Sequence, residues 1–127
     1  MKPASLVACF ATLAATRGSL KLAGFRRTVR WAQRLGRFTD PVADRDGVAE
    51  QARGVAVAAA FFPGRAICLE QSLALYVLLR RRRIPAVLRI GVQPYPFAAH
   101  AWVEIDGNPV YENEDDLLKF VAFPGVA

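Results

Sequence analysis

From Ile67 to Arg83 the chain carries Leu69, Leu73, Ala74, Leu75, Tyr76, Val77, Leu78 and Leu79, with only Glu70, Gln71 and Ser72 between them as polar residues before the closing arginines. On a helix this pattern leaves almost no polar face, so the segment has to be enclosed on nearly every side. It must be the centre of a domain, and the rest of the chain must be arranged as its cover. Arg80-Arg81-Arg82-Arg83 ends it with four cations that complement the helix dipole, and Pro85 stops the run.

The cover divides into helices before this segment and strands after it. Residues 4–36 read as helix with a break near Gly18-Ser19, where Ser19 is suited to cap a second, basic helix. Asp40-Pro41 and Asp44-Arg45-Asp46-Gly47 form a connector, Val48 to Phe62 is again helical and Ala-rich, and Pro63-Gly64-Arg65 ends it. From Ala86 the period changes to two: Val87 to Val92, then Ala99 to Ile105, then Val110-Tyr111-Glu112, with Asp106-Gly107 as a hairpin signal. Helices followed by a short antiparallel sheet give an α+β fold rather than a wound parallel sheet. The whole chain, 1–127, reads as one domain, with an N-terminal helical part at 1–62 and a helix-and-sheet part at 63–127.

At 127 residues and 54% apolar, such a chain can close a core without disulfides or metal. Cys9 and Cys68 are too far apart for a zinc pattern, and His100 is the only histidine, so no metal or cofactor is expected. Neither dinucleotide-binding nor P-loop glycine patterns occur. Residues 1–92 hold 16 basic and 5 acidic side chains, whereas 93–127 hold one Lys and 6 acids. The basic field is therefore regional and favours an anionic partner. Its arginines lack the glycine and aromatic interleaving of RNA-binding motifs, so nucleic acid is not expected. Arg26, Arg27, Arg30 and Arg34 recur at helical spacing and form either a solvated face or a docking surface for a partner. No apolar run is long enough to span a bilayer. The stretch Ser5 to Ala15 imitates a secretory signal, but one Lys precedes it and its apolar face continues to Leu20, Leu22 and Phe25, so it reads as a first helix. A cytoplasmic protein with reduced thiols follows.

The chemistry concentrates on Cys68 and His100. Cys68 lies in the first turn of the buried helix, where unpaired backbone N–H groups and the positive dipole end favour a thiolate. In strand 99–105, His100, Trp102 and Glu104 share one face, and Ala99, Ala101, Val103 and Ile105 share the other, which suits a core. The His100 face can then meet the helix start, pairing a nucleophile with a base. A third group should orient the imidazole. A three-residue turn at 106–108 sets Glu112 diagonal to His100, and a two-residue turn at Asp106-Gly107 sets Asn113 opposite it. Both readings stay open. Two other uses of such a chain remain: acyl transfer to an amine in place of water, and a noncatalytic basic binding module.

Three stretches together carry a family resemblance. They are Cys68-Leu69-Glu70-Gln71-Ser72-Leu73-Ala74-Leu75; the Arg-rich helix end with Ile84-Pro85-Ala86 and Arg89-Ile90-Gly91-Val92; and Pro96-Phe97-Ala98-Ala99-His100-Ala101-Trp102-Val103-Glu104 with Asp106-Gly107. Over about residues 60–123 the chain resembles the leader peptidases of lasso-peptide biosynthesis, in the transglutaminase-like, papain-related cysteine peptidase superfamily. The resemblance implies Cys68 as nucleophile, His100 as general base, and Glu112 at the position where that family commonly has Asp. It implies a substrate that is a ribosomally made precursor peptide, a separate leader-binding protein as partner, and an ATP-dependent cyclase that receives the freed product.

Overall fold

A computed structural model describes residues 3–41, 45–61, 68–93, 98–110 and 121–122 of the chain. Among the described residues four helices come first: α1 (Pro3–Leu22), α2 (Phe25–Leu35), α3 (Arg45–Phe61) and α4 (Cys68–Arg81). Four strands follow, β1 (Ala86–Gln93), β2 (Ala98–Ile105), β3 (Asn108–Pro109) and β4 (Val121–Ala122), in one antiparallel sheet of order β3-β2-β1-β4. The α+β order is the one the change of period at Pro85 predicts. No described helix is long and apolar enough to cross a membrane.

Helix α4 sits at the centre, against α1, α2, α3, β1 and β2. Leu73, Ala74, Leu75, Tyr76 and Leu79 are buried in a core completed by Cys9 and Leu13 of α1, Val55 and Ala58 of α3, and Leu88 and Val103 of the sheet. Even its polar strip is covered: Glu70 and Ser72 are both buried. Each has a partner. Arg17 Nε of α1 donates to Glu70 Oε2 at 3.0 Å, and Ser72 Oγ donates to the Ala101 carbonyl at 2.9 Å. Burying these groups without such partners would cost a few kcal/mol each, on the order of 1–3 for a hydroxyl.

Two boundaries differ from the sequence expectation. The α1–α2 break falls at Ala23-Gly24, not at Gly18-Ser19. Gly18 keeps helical backbone, while Gly24 takes φ 88°, which a residue without Cβ adopts at no steric cost. Ser19 does not cap α2. Its carbonyl accepts from the N–H groups of Ala23 and Gly24, and its hydroxyl lies 2.7 Å from that of Thr28, which donates to the Gly24 carbonyl. The corner is thus held by Ser19 from the α1 side. Helix α3 begins at Arg45, inside the expected connector rather than at Val48.

The end of α4 is a Schellman motif. Ile84 N–H donates to the Leu79 carbonyl and Arg83 N–H to the Arg80 carbonyl, and Arg83 takes the left-handed conformation at φ 63°. Leu79 and Ile84, the positions whose apolar contact commonly accompanies this motif, are both buried in the core. Of the four arginines, Arg80 does structural work: its guanidinium donates to the carbonyls of Gly36 and Ala86 and lies over the rings of Phe38 and Tyr76. It ties the end of α2 to the start of the sheet. A Cβ on Gly36 would lie 2.8 Å from Arg80 Cβ, which explains glycine there. Because a left-handed arginine costs roughly 1–2 kcal/mol, partly offset by the greater freedom of glycine in the unfolded chain, Arg83→Gly should raise stability by about 0.5–1 kcal/mol. Urea unfolding checks this, and an unchanged or lower midpoint would contradict it.

Candidate active site

Cys68 is the first residue of α4, so its backbone stands at the positive end of the most enclosed helix. Its side chain lies outside the described residues. One turn further, and on the same stripe of the helix, is Ser72. The Ser72 hydroxyl grips the carbonyl of Ala101, which directly follows His100 in β2. The two elements expected to carry nucleophile and base are therefore joined one helical turn from Cys68 and one residue from His100.

The β1–β2 ladder is regular over eight pairs and sets Gly91 opposite His100 and Arg89 opposite Trp102. Alternation holds as the sequence predicts. His100, Trp102 and Glu104 interact along one face, and Ala101 and Val103 are buried toward the other. What periodicity does not reveal is that Trp102 is buried as well, at 4% exposure, so β2 is covered on both faces at its middle. The Trp102 ring stacks on half-buried His100, centroids 5.9 Å apart and planes at 24°. Trp102 Nε1 donates to Glu104 Oε2 at 2.8 Å, and Glu104 Oε1 accepts from Arg89 Nε at 3.3 Å. A chain of fixed side chains thus runs from Arg89 through Glu104 and Trp102 to the imidazole. The paired charges of Arg89 and Glu104 on adjacent strands are the sequence signal for it, visible only once the register is known.

The hairpin after β2 has a two-residue turn. Asp106 and Gly107 have φ 53° and 79°, Ile105 pairs with Asn108, Glu104 pairs with Pro109, and Val110 N–H donates to the Val103 carbonyl. Glu112 and Asn113 lie outside the described residues. A cavity of about 250 Å3 opens between α3, α4 and β2, lined by Ala52, Ala56, Gln71, Ser72, Trp102 and Val110 among others. It adjoins the Ser72 contact. Arg26, Arg27, Arg30 and Arg34 are all exposed on α2 and belong to a separate surface.

The residues of this site fall in a stretch with known relatives. A family model described as the transglutaminase-like superfamily matches residues 10–123. The chain belongs to that superfamily. The microcin J25-processing protein McjB of Escherichia coli is 42% identical over 57 residues, a stretch covering 43% of this chain and 27% of that protein. No solved structure matches. The transglutaminase-like membership now extends over the N-terminal helices, which the sequence resemblance did not reach.

Cys9, the other thiol, is fully buried in the core, and burial pushes it up from its ordinary range, an effect opposed by nearby Arg82 and reinforced by Glu50. Little thiolate forms there near neutral pH. Iodoacetamide should leave Cys9 unmodified in the folded protein and alkylate it in urea, as peptide mass mapping will report. Modification of Cys9 under native conditions would contradict its place in the core.

Proposed function

We propose that this protein is a cysteine peptidase of lasso-peptide maturation that removes the leader from a ribosomally made precursor. The observation that carries the reading is the seam between the start of α4 and β2, where Ser72 holds the strand of His100 against the helix of Cys68. Superfamily membership and the similarity to a microcin-processing protein support it.

In this reading the Cys68 thiolate attacks the carbonyl carbon of one peptide bond. The backbone N–H of Cys68, at the helix start, stabilises the developing oxyanion. The C–N bond breaks, His100 gives its proton to the leaving amine, and the leader stays on Cys68 as a thioester. Water, deprotonated by His100, then releases the leader as a carboxylate and restores the thiol. Trp102, held by Glu104 and Arg89, keeps the imidazole in one orientation, and the cavity beside Ser72 takes a side chain next to the scissile bond. The product, with a free N-terminal amine, passes to an ATP-dependent cyclase, and a separate leader-binding protein delivers the precursor. If an amine reached the thioester in place of water, the same groups would perform acyl transfer.

Glu112 is assigned as the group that orients His100, on the family pattern and because a carboxylate also stabilises an imidazolium. The two-residue turn supports Asn113 instead if pairing continues unbroken past Val110, so Glu112 needs a one-residue shift of the kind a bulge provides. Cleavage of the cognate precursor, followed by mass spectrometry, tests the whole assignment. Cys68→Ala should abolish cleavage and His100→Ala should lower it by about 1,000-fold or more, with Cys9→Ala near the parent rate. Glu112→Gln should cost about tenfold to a hundredfold and Asn113→Ala less. The reverse ranking would give the orienting role to Asn113, and parent-rate cleavage by Cys68→Ala would end the peptidase reading.

A further inference from the structure

Helices α1, α2 and α4 enclose an apolar groove of about 670 Å3 that shares no lining residue with the cavity beside Ser72. Exposed Ala8, Ala11 and Ala15 of α1 and Trp31 and Leu35 of α2 line it, with buried Thr28, Ala32 and Leu73 beneath. Those two large side chains are 46% and 56% exposed, an uncommon state for neighbours on one stripe of a short helix. Arg27 and Arg34 flank Trp31 on the same stripe of α2, and Arg81 of α4 also lines the groove. None of Arg26, Arg27, Arg30, Arg34 or Arg81 makes an ion pair among the described residues. A trough of apolar surface thus lies beside positive charge that no described residue pairs.

We infer that this groove is the docking site for an acidic amphipathic helix of a partner protein. Charge and shape decide the occupant. Along α1 the groove runs from Ala8 to Ser19, about three helical turns, and the small side chains of the exposed α1 alanines let a helix backbone approach closely. Apolar side chains at helical spacing fill the trough, and Asp or Glu on both flanks meets the arginines. A second copy of the same face would bring like charges together, which disfavours a symmetric dimer. The inference rests on this surface and not on the assignment of Cys68, so binding tests it whether or not the chain cleaves peptides.

A display library of helical peptides of about three turns, apolar on one stripe and Asp or Glu on the flanks, is selected against the full chain, beside a matched library with Lys on the flanks. Acidic binders should be enriched. Their affinity, read by fluorescence anisotropy, should fall at least tenfold or so on Trp31→Ala, on Leu35→Asp and on the pair Arg27→Glu and Arg34→Glu, and should fall with added salt. The charge reversals keep a readout if an apolar variant misfolds, since those side chains are exposed and make no ion pair among the described residues. No enrichment, equal enrichment of the Lys library, binding undiminished by the variants, or a concentration-dependent dimer that blocks the groove would overturn the inference.

Discussion

The enclosure of α4 is the constraint from which the rest of the molecule follows. A helix with almost no polar face needs cover on nearly every side, and four of its buried large residues, Leu73, Leu75, Tyr76 and Leu79, gain roughly 1.5–3 kcal/mol each from that cover. Three helices supply it on one side and the β1–β2 ladder on the other. The polar residues at its N-terminal end are then obliged to find partners inside the protein. Ser72 finds Ala101 and Glu70 finds Arg17, so the same enclosure that stabilises the fold fixes the helix start against β2 and α1.

The proposed chemistry lies where that enclosure ends. The first turn of a central helix combines a rigid backbone, unpaired N–H groups and the positive end of the dipole, and here it carries Cys68. Across the seam, β2 is held on both faces at Trp102, and the residues on either side of it inherit that rigidity. The two cysteines of the chain occupy different places in the fold. Cys9 is a core residue whose ionisation is suppressed by burial, and Cys68 stands at a helix terminus.

Much of this was legible in the sequence because it depends on periodicity. The limits of α4, the change to strands after Pro85, the inward face of Ala101 and Val103, and the pairing of His100 with Trp102 and Glu104 on one face all follow from spacing. The elements that were not legible depend on a single residue's backbone. Gly18 and Gly24 look alike in sequence, and only the positive φ of Gly24 decides where α1 ends. Asp106-Gly107-Asn108 permits turns of two or three residues, and that one-residue difference moves Glu112 and Asn113 from one face to the other. The structure has the two-residue turn. Arg80 belongs to the same class: within a run of four arginines nothing marks the one that bridges Gly36 and Ala86.

In the proposed reading the α4–β2 seam brings Cys68 and His100 into one electrostatic unit. Ultraviolet titration of the Cys68 thiolate tests it without any substrate, in a Cys9→Ala background so that one thiol is observed. With His100 present the thiolate should appear at lower pH than in the His100→Ala variant, because a neighbouring imidazolium stabilises it. Superimposable titration curves for the two proteins would contradict the claim.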